Sequence, residues 1–252
     1  MTDLRGPASD ARRRRRRRHR AWREGGSSTA GWDAVMLGGS LVCLGLGALA
    51  ARTAALTLPL ETRSGGAQAV VWLALAAPVL LAFRRSRPRG LLTWRAVDAL
   101  YGVVFGVVVR VAQGMLDGLG GHPAAWPSTF SVGGVLPDAF LLDALAGTAV
   151  SPLVEEFFFR AVVVVCAYTT LRRLCGQIAA GVAAAALSSG LFVVAHLLVG
   201  APGTVDVLTL TLLGGVTGAF VLGTGRIWAA VFVHVIFNAT GFALVAIGTL
   251  LA

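Results

Sequence analysis

Residues 136–171 read LPDAFLLDALAGTAVSPLVEEFFFRAVVVVCAYTTL, an apolar stretch that nevertheless carries Asp138, Asp143, Glu155, Glu156 and Arg160. A helix rising ~1.5 Å per residue needs about 20 residues to cross the hydrocarbon core of a bilayer, so this stretch is too long for one straight crossing. Ser151-Pro152 stands in its middle. Proline has no amide hydrogen and clashes with the preceding turn, which predicts a break there. The half downstream of Pro152 reads as a span. The upstream half is expected at the interface or only partway into the bilayer.

Working outward, apolar runs long enough for crossings lie at residues 34–51, 67–83, 97–116, 178–199, 205–222 and 227–251. With 136–171 as one net crossing, the chain is an all-α, polytopic transmembrane helix bundle of seven spans, or eight if the upstream half crosses fully. Composition agrees: 56% of residues are hydrophobic and 13% charged, with a mean hydropathy of +0.76, whereas soluble domains carry about 25% charged residues. The reading divides the chain into a disordered, arginine-rich tail (1–30), N-terminal transmembrane helices (31–135) and a C-terminal transmembrane core (136–252).

The net charge of +10 comes from 22 basic residues, all arginine, seven of them in one run from Arg12 to Arg18. The apolar remainder offers no basic face for a duplex, so no nucleic-acid partner is expected. The run reads as a solvated tail attracted to anionic lipid. Positive loops are retained on the cytoplasmic side. The seven-span arrangement places eighteen of the 22 arginines on one side and only Arg52 and Arg63 in the opposite loops. A cell-membrane protein with a cytoplasmic N-terminus is therefore expected. Cys43, Cys166 and Cys175 show no ligand or pairing spacing and read as free thiols.

Each ionisable group at membrane depth costs at least ~2.5 kcal/mol on insertion scales, so each one calls for a partner or a function. Arg110, Glu155, Glu156, Arg160, His196 and His234 qualify, with Asn238 as an uncharged companion, while Asp98 and Asp143 read as interfacial. Residues four apart share a helix face. Glu156 can thus neutralise Arg160, leaving Glu155 uncompensated, and Phe192 with His196 and His234 with Asn238 form two further face pairs. Arg110 has no partner in its own span and reads as structural, snorkelling or meeting Asp98 or Asp143. Gly214, Gly215 and Gly218 suit close helix packing.

A carboxylate beside imidazoles is equipment for activating water, and a His with an amide on one face can donate to an oxyanion. Glu155, His196 and His234 also make a reasonable set for a divalent metal such as zinc, although no HExxH is present. Spacing leaves both open. A third reading keeps the same cluster as a structural network in a non-catalytic scaffold or immunity protein, or as a proton relay in a transporter. No convincing internal repeat of the transporter kind is visible.

Glu155-Glu156-Phe157-Phe158-Phe159-Arg160, Phe192-x-x-x-His196 and His234-x-x-x-Asn238 resemble the three ordered motifs of the CPBP family. That family comprises type II CAAX prenyl endopeptidases and bacteriocin-processing or self-immunity membrane proteins. The resemblance implies an intramembrane endopeptidase acting on a membrane-associated protein or peptide. Glu155 would activate water with help from His196, His234 and Asn238 would stabilise the oxyanion, and Glu156, Arg160 and Phe192 would support the site. It leaves metal dependence open; the preferred expectation is glutamate without an obligatory metal. Arg226, in the turn before the third motif, departs from the small polar residue common there. Straight spans would place His234 some 15 Å in depth from Glu155 and His196, so the reading requires the last helix to start below the surface or the helices to tilt.

Overall fold

The computed structural model describes residues 20–25, 27–119, 127–131 and 133–251; the arginine run 12–18 lies outside them. Among the described residues the chain is helical without strands. Six helices are long and apolar enough to cross a membrane, as in a multi-pass membrane protein: α1 (Ala34–Thr57), α2 (Leu60–Arg85), α3 (Ala96–Leu119), α4 (Phe140–Val199), α5 (Thr204–Thr224) and α6 (Trp228–Leu250). The count of six differs from the expected seven because two expected spans, 136–171 and 178–199, lie in one 60-residue element that is two helices joined at a kink. Gly176 breaks this element at φ 80°, ψ −179°, backbone that is essentially restricted to glycine.

The break expected at Ser151-Pro152 does not occur. α4 runs continuously through it, with π-helical turns at Ala146–Val150 and Phe157–Val163 on either side. The wider turn accommodates the proline: the Ser151 amide donates to the Ala146 carbonyl, five residues back. Gly147's five-back donor would be Pro152, which has no N–H. The Gly147 carbonyl is thereby left free.

Small residues set the helix spacing. Gly102 and Gly106, four apart on α3, let α6 approach so closely that an added Cβ would come within 2.3 Å of Phe232 and 2.8 Å of Ile236. Gly47 faces Ala74 across α1 and α2 in the same way, with 2.2 Å to the Ala74 Cβ. Of the glycines expected to pack closely, Gly214 meets Ser189 and Gly218 meets Ala185, while Gly215 has nothing nearby.

Arginines gather at one end of the bundle. Trp22 Nε1 donates to the Gly225 carbonyl, Arg23 to the Leu222 and Gly223 carbonyls, and Arg172 to the Arg23 carbonyl. Trp32 reaches the Ser86 carbonyl, and the Ile227 amide that of Leu91. Residues 20–30, read from composition as tail, therefore belong in part to the core: Trp22 is fully buried against Tyr168. At the same end Asp98, in the first turn of α3, is buried and is clamped by Arg226 through Nη2 at 2.6 Å and Nε at 3.0–3.1 Å. These hydrogen bonds push the Arg226 guanidinium above its ordinary value. The residue that departs from the common turn pattern thus has a partner of its own. α6 begins at this layer, with Ile227, Ala229 and Ala230 fully buried, and His234 on its second turn reaches Glu155, so the expected depth mismatch does not arise.

Candidate active site

α4 and α6 carry the polar centre. Two successive carboxylates of α4 converge on one imidazole of α6: Glu156 Oε1 lies 2.9 Å from His234 Nδ1, and Glu155 Oε2 lies 3.9 Å from Nε2. A carboxylate accepts, so Nδ1–H donates to Glu156 and Nε2 is left to face Glu155. The two glutamates are adjacent in the chain. They diverge along the helix but straddle the same ring.

Glu156 also holds Arg160 at 3.3 Å, as the four-residue spacing implies, and both side chains are fully buried. Arg160 Nε donates to Thr217 Oγ1 at 2.9 Å. The guanidinium lies 4.5 Å above the Phe192 ring, and its two terminal nitrogens have no hydrogen-bond acceptor among the described residues. Phe192 is accordingly the hub of the centre. Its ring packs edge-on against His196 at 4.5 Å and His234 at 5.6 Å, beneath the Arg160 cation.

His196 is tied back by its own helix, Nδ1 lying 2.8 Å from the Phe192 carbonyl. A carbonyl only accepts, so Nδ1 carries the hydrogen and Nε2 is the free, basic nitrogen. Asn238 Nδ2 donates to the Gly147 carbonyl at 2.8 Å, the group released by the π turn before Pro152. One amide hydrogen of Asn238 is thereby committed and the second remains.

Three residues outside the expected set complete the site. Ser151, one turn before Glu155, donates to its Oε1, so Glu155 is not uncompensated. Trp72 of α2 donates in turn to Ser151 Oγ at 3.3 Å. Arg110 meets neither Asp98 nor Asp143: it donates to Gln113 and to the Phe237 carbonyl and stacks 3.9 Å over the Phe237 ring. The sequence signals were a serine four residues before Glu155 and a proline that frees a carbonyl; Trp72 had none.

Two cavities meet at this centre. One of about 380 Å³ is lined by Arg110, Gly147, His234 and Asn238, the other of about 570 Å³ by Leu44, Ala48, Leu75 and Phe159, and Ser151, Glu155 and His196 line both. Among the described residues no group of three or more His, Cys, Asp or Glu is arranged to hold a metal ion. The three cysteines are free.

Residues 137–240 match the family described as type II CAAX prenyl endopeptidase, Rce1-like. No curated protein and no solved structure matches the chain.

Proposed function

We propose, from the match of residues 137–240 to the family described as type II CAAX prenyl endopeptidase, Rce1-like, that the protein is an intramembrane endopeptidase that hydrolyses a peptide bond in a membrane-associated protein or peptide. The observation that carries this reading is the placement of Glu155 and Glu156 on the two nitrogens of His234, at the wall shared by two cavities. A separation of 3.9 Å is too long for a direct hydrogen bond but suits a water held by both groups.

In this mechanism Glu155 takes a proton from that water as its oxygen attacks the peptide carbonyl carbon. Ser151 fixes the Glu155 rotamer, and His196 Nε2 assists in orienting the water. The carbonyl π electrons move onto oxygen, where the uncommitted amide hydrogen of Asn238 donates to the charge and His234, in the form protonated on both nitrogens, donates from Nε2 while Nδ1–H stays on Glu156. Collapse breaks the C–N bond, and the proton taken by Glu155 passes to the leaving amine. Glu156, Arg160, Thr217 and Phe192 hold the His234 ring in place. No step requires a metal.

The test is purified protein in detergent with a peptide library, products being identified by mass spectrometry with and without chelator. Cleavage that survives chelation and falls at least about a hundredfold in His196→Ala supports the reading, since general acid–base assistance contributes 10²–10⁴-fold. Loss of cleavage with chelator alone would contradict the metal-free mechanism.

A further inference from the structure

Both cavities that reach Glu155 extend toward the same end of the bundle. The larger follows α1 and α2 to Arg52, Leu60 and Arg63 and reaches Val199 on α4; the smaller reaches Pro127, Leu244 and Val245. These residues lie where α1 turns into α2, α4 gives way to α5 and α6 finishes. At the other end Trp22, Trp32, Met36, Leu91 and Ile227 are buried in one apolar cluster, and the cavity of about 600 Å³ there, lined by Arg23, Tyr168 and Leu222, does not include Glu155 in its lining. None of residues 20–33, 84–98, 168–173 or 222–228 lines either cavity that reaches Glu155. That end is also the arginine-crowded one, the end retained in the cytoplasm by the charge rule.

The mouth of the larger cavity has a chemical character. Its walls are apolar, and its cationic lining residues are Arg52 and Arg63. Arg52 has no ion-pair or hydrogen-bond partner among the described residues, and Arg63 makes only 3.4 Å contacts to the Leu58 carbonyl. Trp72, bonded to Ser151, marks the level of Glu155 on α2. Arg63 precedes it by nine residues, roughly 13 Å at helical rise, the reach of about four residues of extended chain.

We propose that Glu155 is reached from the non-cytoplasmic side, along the crevice between α1 and α2, and that Arg52 and Arg63 at its mouth select peptides carrying a carboxylate about four residues from the scissile bond. The substrate class is then a peptide segment exposed outside the cytoplasm, acidic at that position. The carboxylate is either a side chain or the chain terminus. The substrate half of this inference rests on the endopeptidase reading; the access half does not.

The access half is tested in intact cells with a membrane-impermeant maleimide. Cys175 is exposed beside Arg173 at the arginine-crowded end, and Val199 is exposed on the cavity wall. The native Cys175 is compared with Val199→Cys in a background carrying Cys43→Ser and Cys175→Ser, both thiols first being shown reactive in detergent. Labelling of Val199→Cys in intact cells, with Cys175 labelled only after permeabilisation, is expected. Protection of Val199→Cys, or labelling of Cys175 without permeabilisation, overturns the inference.

Selectivity is tested on three versions of a cleaved peptide: one ending in a free carboxylate, one amidated but bearing Glu at the fourth position, and one amidated and neutral. The paired change Arg52→Gln and Arg63→Gln is expected to raise KM at least tenfold for an acidic peptide while sparing kcat and the neutral peptide. The first two versions distinguish terminus from side chain. An unchanged KM for both acidic peptides overturns the role of the arginines. Absence of any cleavage by wild type contradicts the endopeptidase reading and leaves the labelling result standing.

Discussion

Glu155 and Glu156 are adjacent and nearly equally buried, yet their partners divide their tasks. Glu156 is consumed by structure, holding His234 Nδ1 and Arg160 within a fully buried set, whereas Glu155 faces both cavities with Ser151 as its support. Removing one partner of a buried ion pair costs about 3–5 kcal/mol. Glu156→Gln is therefore expected to lower the unfolding midpoint markedly in a thermal scan in detergent. Ser151→Ala, which removes one hydrogen bond worth about 1 kcal/mol, is expected to leave the midpoint nearly unchanged and slow cleavage about fivefold to tenfold in steady-state assays. The ion pair and the two histidine motifs are legible in the sequence because four-residue spacing fixes a common face. Ser151 has that same spacing from Glu155, but a search for charges in an apolar stretch passes over a hydroxyl. Trp72 lies 79 positions from Ser151, and no local period reports that contact.

At the scale of elements, proline acts here by withholding a donor rather than by breaking a helix. The π turn and Pro152 together release the Gly147 carbonyl, and Asn238 occupies it, tying α6 to α4. Pro152→Ala restores an amide hydrogen that competes for that carbonyl. It is expected to loosen Asn238 and to be non-additive with Asn238→Ala in a double-mutant cycle of thermal stability; strict additivity would contradict the link. Gly102 and Gly106 set the approach of α3 to α6. Gly106→Leu is expected to destabilise by about 1–3 kcal/mol through overpacking, read as a lower unfolding midpoint. The apolar runs locate every long helix, because a bilayer demands length and hydrophobicity before anything else. They do not show that the run 136–171 carries two π-helical turns or that it meets the next run at a kink at Gly176, since hydropathy carries no information about hydrogen-bond register.

At the scale of the molecule, the few charges inside the bundle and the many at one end perform different work. Arg23, Arg172 and Arg226 knit the N-terminal segment, α4 and the start of α6 into a layer. α6 starts at that layer, and His234 on its second turn reaches Glu155. Trp22 is a principal apolar element of this layer. Trp22→Ala, at about 3–5 kcal/mol for a large buried aromatic, is expected to lower the unfolding midpoint and to weaken cleavage with it. Composition alone marks residues 1–30 as tail, because one tryptophan among arginines and glycines has no periodicity to reveal its burial. The family motifs, by contrast, are legible because a membrane makes every retained charge conspicuous. The central claim is that this cluster hydrolyses peptides through Glu155, and the most direct measurement is the cleavage rate of wild type against Glu155→Gln at equal concentrations of folded protein in detergent. The account predicts a loss of at least about a hundredfold with an unchanged unfolding midpoint. Equal rates for the two proteins would contradict it.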